Sequence, residues 1–320
     1  MRDADDVPDY LVTHLIDVTG RRRAEEQARE LAARDSRIAE VLQASMMPDV
    51  PHRVGPVRAA HRYRPAGHGE TVGGDWSDLL SLPDGTIGVV VGDVAGHGIE
   101  SAVTMTRLRT AVRMLATSGV SPAGVMRRLN DLMHETDLGS DIDLATIVYG
   151  QLDPVAGTLR YCSAGHLPLL LLGGDRTGGQ RPVSTVPAAG GPPIGVVPGL
   201  RYTEHATRLE PGCTIIGFTD GLIERRGGDL DESLLRLLAG VAAVPTERAE
   251  DVEELADAVL DLSPGEAAED DIAVIVLGLD PQRPFTQTPS RLPVESPGSR
   301  RKDRVLDLSE IAARPPDRWA

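Results

Sequence analysis

Aromatic side chains are nearly missing: Phe, Tyr and Trp make up 3% of the 320 residues. A core of ordinary size must therefore be built from Val, Leu, Ile and Ala. Cysteine is almost as scarce. Cys162 and Cys213 form no Cys-x-x-Cys pair, and both sit in apolar stretches, which reads as two buried thiols. An excess of basic charge is also lacking, with 33 Lys and Arg against 48 Asp and Glu and a formal net charge of −15. That balance argues against a nucleic-acid partner or an anionic membrane surface, either of which needs a basic field. No signal peptide and no apolar run of membrane-spanning length appear, so the chain is expected to be cytoplasmic. What remains is an acidic chain long enough for one large domain or two ordinary ones. Clustered carboxylates are costly unless cations neutralise them, so the acidity is compatible with metal binding.

The chain is organised around Val89–Gly98, Val-Val-Val-Gly-Asp-Val-Ala-Gly-His-Gly. The β-branched run predicts a buried strand, and it leads into Asp93 with Gly92, Gly96 and Gly98 around it. Glycine lets a backbone turn tightly and approach a ligand without a Cβ in the way. An acid at such a strand end suits a metal or phosphate site, although a lone one equally caps a following helix. Asp75 stands in a similar setting, Gly73-Gly74-Asp75-Trp76-Ser77-Asp78. Asp220 follows the apolar stretch 213–218 and precedes Gly221, and Asp270-Asp271 precedes the apolar stretch 272–279. Four strand-end carboxylates, Asp75, Asp93, Asp220 and Asp270, make coincidence a poor account. Oxygen ligands without a His or Cys cluster point to magnesium or manganese rather than zinc.

The pattern also predicts the elements around these acids. Residues 57–63 read as a strand, and 79–82 and 86–91 as a hairpin about Pro83-Asp84-Gly85 that brings Asp75 near Asp93. Helices are expected over 99–117 and from Ser121-Pro122 to about 134. A second hairpin is expected from 144–152 and 158–164, with an apolar strand over 167–172. The Gly- and Pro-rich stretch 173–191 reads as loop, and 232–239 and 249–260 as helical. Upstream, 21–47 is rich in helix formers. Ala24, Ala28, Leu31, Asp35, Ile38, Leu42 and Ser45 form a weak heptad seam, and Pro48 and Pro51 end the helix. Such a helix either packs on its own domain or pairs two copies weakly. The tail, 281–320, reads as disordered.

Together, Gly-Gly-Asp-Trp-x-Asp, Gly-Asp-Val-x-Gly-His-Gly, Ser-Ala-Gly-His, Phe-Thr-Asp-Gly-Leu-x-Glu and Asp-Asp-Ile resemble the metal-dependent type 2C (PPM) serine/threonine protein phosphatases, in the bacterial SpoIIE/RsbU branch. The resemblance spans about residues 45–280. It implies an α+β fold, a four-layer α-β-β-α sandwich of two antiparallel sheets with a dinuclear metal site at one edge, carried by residues 48–280. It further implies two Mn2+ or Mg2+ ions bridged by Asp93, with the Val94 carbonyl on one ion and Asp220 and Asp270 on the other. Asp75 would hold a coordinated water, and Asp93 and Asp220 would be the catalytic acids; Asp271 is the alternative to Asp270. The reaction implied is hydrolysis of a phosphoserine or phosphothreonine, on a STAS-type anti-sigma-factor antagonist. A scaffold that binds the same partner is the rival reading. Residues 1–20, through Leu15–Arg22, resemble the exit of a PAS sensor domain, too little to fold alone, so the chain is expected to begin late or to have lost its sensor. Ser77 stands where the family usually has tyrosine, and no arginine matches the phosphate-gripping one of eukaryotic relatives. His97 is either a packing residue of its loop or a general acid, and His166 is expected to hydrogen-bond within the sandwich.

Overall fold

The computed structural model describes residues 22, 50–65, 73–96, 98–135, 144–174, 181–186, 190–224, 227–263 and 270–279. The PAS-like exit, nearly all of the connector helix, His97 and the tail lie outside these residues; Arg22 alone of the first 49 is described, and it is helical.

Twelve described strands form two sheets. The first has the order β1-β2-β12-β11-β7-β8, from β1 (Arg53–Val54), β2 (Val57–Arg64), β7 (Leu170–Leu172), β8 (Val183–Thr185), β11 (Thr214–Phe218) and β12 (Ile272–Leu279). The second has the order β10-β6-β5-β4-β3, from β3 (Trp76–Ser81), β4 (Ile87–Val94), β5 (Ala145–Asp153), β6 (Thr158–Ala164) and β10 (His205–Arg208). All neighbours on these paths are antiparallel; the short β9 (Gly190–Gly191) lies parallel to β6. Helices α1 (Ile99–Thr117) and α2 (Pro122–Glu135) cover the second sheet, and α3 (Leu230–Ala242), α4 (Thr246–Glu250) and α5 (Val252–Leu260) cover the first.

The strands read as continuous apolar runs because both faces of each sheet are buried, and alternate residues serve different layers. On β4, Val90 and Val94 pack toward α1 and α2 while Val89 and Val91 face the other sheet. On β12, Ile272, Val274 and Val276 meet α3 and α5, whereas Ile275 and Leu277 fill the space between sheets. The result is the expected α-β-β-α sandwich. The two cysteines are buried and unpaired, and burial pushes the Cys162 and Cys213 thiols up to about 12 and about 11.

Several segments depart from the sequence reading; the helix expected over 249–260 is broken at Asp251, which ends α4 and caps α5. Strand β3 begins at Trp76 rather than 79, because the Trp76 indole lies over Gly92, where a Cβ would overlap the ring. Strand β7 is confined to 170–172, since Pro168 has no N–H to give a ladder. The stretch 173–191, expected as loop, contributes β8 and β9 at sheet edges, and β10 carries no apolar pattern at all. Short edge strands need few apolar residues, so periodicity does not reveal them.

Asp78 on β3 is almost fully buried and anchors α1. Arg113 Nε and Nη2 donate to its two oxygens at 2.6 and 2.7 Å, and Arg109 Nε approaches at 3.4 Å. Asp78 is buried whereas the Arg113 side chain is 43% exposed, so losing Asp78 forfeits charge-assisted hydrogen bonds but leaves a guanidinium that reaches water. Asp78→Ala should therefore lower unfolding free energy by roughly 1.5–3 kcal/mol. Arg113→Ala should cost less, because Arg109 stays beside the carboxylate. Urea denaturation of both variants checks this.

Candidate metal centre

Strand pairing delivers the acids to one edge. Trp76 pairs with Gly92, so the register carries Asp75 opposite Asp93, the penultimate residue of β4. In the other sheet, Phe218 at the end of β11 pairs with Val274 of β12. Asp220 leaves β11 in a 3-10 turn (Asp220–Leu222) just as Asp270 enters β12, and the two meet at the same end. The described carboxylates that converge are Asp220, Glu224 and Asp270, which offer oxygens within 4.8 Å of one another. Asp93 feels the charges of Asp270, Asp271 and Glu224, and Asp75 those of Asp93 and Asp220. Glu224 lies outside the set anticipated from sequence. The signal for it was the spacing: Glu224 N–H donates to the Asp220 carbonyl at 2.7 Å, one helical turn on, so positions i and i+4 share a face.

Close backbone approaches hold these loops together. A Cβ on Gly73 would overlap the Asp271 carboxylate, one on Gly74 would overlap the Val94 carbonyl oxygen, and one on Gly221 the Asp271 carbonyl. Only glycine permits such contacts. Asp271 is buried with its carboxylate against Gly73. Asp270 is exposed, and one of its oxygens accepts the Asp271 N–H at 2.8 Å. Thr219 is fully buried, exchanges hydrogen bonds with the Ala273 backbone, and reaches Asp75 through its side chain. His166 bonds the Phe218 carbonyl through Nε2 at 3.1 Å and Thr146 Oγ1 through Nδ1 at 2.8 Å. Nε2 must carry the proton to meet a carbonyl, so Nδ1 accepts from the threonine hydroxyl. Burial lowers the His166 pKa to about 4, consistent with a neutral ring that ties the β6 exit to the Asp220 turn. Ser77 is fully buried, and its hydroxyl has no hydrogen-bond partner among the described residues.

Crowding of like charges away from water sets the electrostatics. Burial, then the Asp93 charge, pushes Asp75 well above the ordinary carboxylate range. Burial first, with Asp270, Asp271 and Glu224 adding to it, raises Asp93 to about 6. Burial followed by Asp93, Asp270 and Glu224 raises Asp220 to about 7. Asp75 Oδ2 and Asp220 Oδ1 are buried with no hydrogen-bond partner among the described residues. Unpartnered buried carboxylate oxygens in an all-oxygen set are what a hard divalent cation accepts, so the residues fit Mg2+ or Mn2+. Beside Asp220 and Glu224 opens a cleft of about 310 Å3, lined also by Thr146, His166, Leu167, Leu230 and Ser233.

A two-sheet sandwich with an all-carboxylate edge defines the PP2C class of phosphatase domains. Within that class, the family model for stage II sporulation protein E (SpoIIE) matches residues 83–280, and the chain belongs to that family. The phosphoserine phosphatase RsbP of Bacillus subtilis is 27% identical over 153 residues, 47% of this chain and 36% of RsbP. The crystal structure of the RsbU and RsbW domains of a Mycobacterium tuberculosis protein superposes with a TM-score of 0.65 at 30% identity, covering 74% of this chain and 64% of that one. RsbX in complex with magnesium shares the fold, with a TM-score of 0.55 at 18% identity over 73% of this chain and all of RsbX. The chain thus spans little more than a third of the curated relative's length. Among the described residues no helix is long and apolar enough to cross a membrane.

The raised carboxylates make stability pH-dependent. Their folded pKa values exceed the unfolded value of about 3.9, so the folded state holds more protons between pH 4 and about 7. Cation-free protein should therefore lose stability as pH rises through that window. Mg2+ or Mn2+ should reverse the loss, and Asp220→Asn should flatten it; thermal melts at pH 5 and pH 7.5, with and without EDTA, measure all three.

Proposed function

We propose that this chain is a metal-dependent phosphatase that hydrolyses phosphoserine or phosphothreonine on a regulatory protein. The reading is carried by the gathering of Asp75, Asp93, Asp220 and Asp270 at one edge, with two buried carboxylate oxygens that no described group satisfies. Asp93, the Val94 carbonyl, Asp220, Asp270 and the nearby Glu224 would together hold two Mn2+ or Mg2+ ions. Metal held there would supply an activated water and neutralise charge on the phosphoryl oxygens. The carboxylates themselves fix where positive charge sits, and Asp75, from its buried place beside Asp93, orients the attacking water by accepting its proton in a hydrogen bond. The Thr146–His166–Phe218 chain keeps the Asp220 turn in register. Hydrolysis then needs no covalent enzyme intermediate.

The regulatory partner we infer is a phosphorylated STAS-type anti-sigma-factor antagonist, on the strength of the likeness to RsbP and to an RsbU domain. We also infer that the working unit is residues 48–280, that helix 21–47 connects it to an input and pairs two copies weakly, and that the protein acts in the cytoplasm. Retention of every acid favours an enzyme over a scaffold. Hydrolysis of p-nitrophenyl phosphate should require Mn2+ or Mg2+ and cease with EDTA. Asp93→Asn and Asp220→Asn should each lower it at least about 100-fold, since each removes a charge from a hard-cation site. Full activity without metal in either variant would overturn the assignment.

A further inference from the structure

Strand β11 loses a ladder partner just before the acid edge. Its odd-numbered residues bond toward β12, since the Leu279 N–H donates to the Cys213 carbonyl and the Thr219 N–H to the Ala273 carbonyl. Backbone groups of successive strand residues point to opposite neighbours, so the Phe218 carbonyl faces the β7 side. Ile216 pairs with Leu170 of β7, and the same register carried two residues further sets Pro168 opposite Phe218. Proline has no N–H, so β7 offers that carbonyl no donor. His166 takes the place of the missing strand bond, with Nε2 donating to the Phe218 carbonyl at 3.1 Å, two residues ahead of Asp220.

The stretch Ser163-Ala164-Gly165-His166 is folded to present this ring. Gly165 turns at φ 70 and lies against Pro193, where a Cβ would overlap the proline ring. The Gly165 N–H donates to the Gly191 carbonyl at 2.7 Å, and Ser163 Oγ donates to the His166 carbonyl at 3.1 Å. On the other side of the imidazole, Nδ1 accepts from Thr146 Oγ1 at 2.8 Å. Thr146 is the ladder partner of Asp93. Val94 beside Asp93, and Ala145 and Ile147 beside Thr146, belong to the core under α1 and α2, so Asp93 and Thr146 both point toward the first sheet. The ring therefore spans the two sheets, from the rung that carries Asp93 to the strand end that delivers Asp220. With both nitrogens engaged, it is not itself a ligand.

Resting on the proposed metal centre, we propose that His166 is the positioning residue that joins the two halves of that centre. Its Nε2–H supplies the hydrogen bond that Pro168 cannot, and holds the Asp220 turn at a fixed offset from Asp93. The carboxylates of the two sheets are thereby aligned before a cation arrives, and metal affinity depends on that single donor. Losing a group that orients ligands in this way typically weakens metal binding about 10- to 100-fold.

Calorimetric titration of Mn2+ into the full chain, stripped with EDTA and then freed of it, tests this without turnover. His166→Gln brings an amide N–H near the position of Nε2 and should keep the Mn2+ Kd within about threefold of the unsubstituted chain. His166→Asn is shorter, reaches Thr146 alone, and should raise the Kd at least about tenfold. Thr146→Val keeps the shape but leaves Nδ1 without its donor, so the ring proton is no longer fixed on Nε2; its Kd should fall between those two. Equal Kd values for the Gln and Asn variants would overturn the proposal. So would losses of affinity that merely follow losses of melting temperature measured in EDTA. Turnover of p-nitrophenyl phosphate by the same preparations separates the two readings. The expected order of affinities without turnover counts against the phosphatase assignment alone, and turnover with one Kd throughout counts against His166 alone.

Discussion

Mutual repulsion among carboxylates brought together out of water is the constraint that the rest of this structure answers to. Asp75, Asp93 and Asp220 are each held above the ordinary carboxylate range, first by burial and then by one another. A fold with no use for such an arrangement would be stabilised by losing it, because burying a charge without a partner is expensive. The sandwich instead assembles it with care. Gly73 and Gly74 in one loop and Gly221 in another let the backbone come within contact of the Asp271 carboxylate, the Val94 carbonyl and the Asp271 backbone.

Rigid layers make this possible. Strands β4 and β12 are buried on both faces, so neither can slip in register without moving apolar side chains out of two layers at once. Asp93 and Asp270 are attached to the ends of those strands and inherit their precision. The pair between buried Asp78 and half-exposed Arg113 ties α1, the helix that follows the Asp93 loop, onto the second sheet. His166 does similar work across the gap between sheets through the Phe218 carbonyl, and Thr219 ties the start of the Asp220 turn to β12 within the first sheet. None of these groups needs to meet a substrate to matter for the chemistry.

The same geometry sets two features side by side on one edge. The carboxylate cluster carries the charge that suits divalent cations, while the adjoining cleft has Leu167 and Leu230 beside Thr146, His166 and Ser233 on its walls. Glu224 belongs to both, because the turn from Asp220 brings it back one helical step later.

Much of the layout was readable from residue order alone. Continuous β-branched runs at 87–94 and 272–279 announced strands buried on both faces, Asp-Gly at 84–85 announced a hairpin, and Ser121-Pro122 a helix start. These are local preferences, and the tertiary structure agrees with them. The strand-end acids were legible as individuals for the same reason, and their motifs together carried the family resemblance. Other features were not legible locally. Edge strands β8, β9 and β10 exist only because a neighbour offers a ladder, and Trp76 joins β3 because Gly92 leaves room for its ring. Asp270 and Asp271 are adjacent in sequence and chemically identical. One is buried against Gly73 and the other stands exposed beside Asp220 and Glu224, because alternate residues at a strand's entry face opposite ways and only packing decides which way is the site.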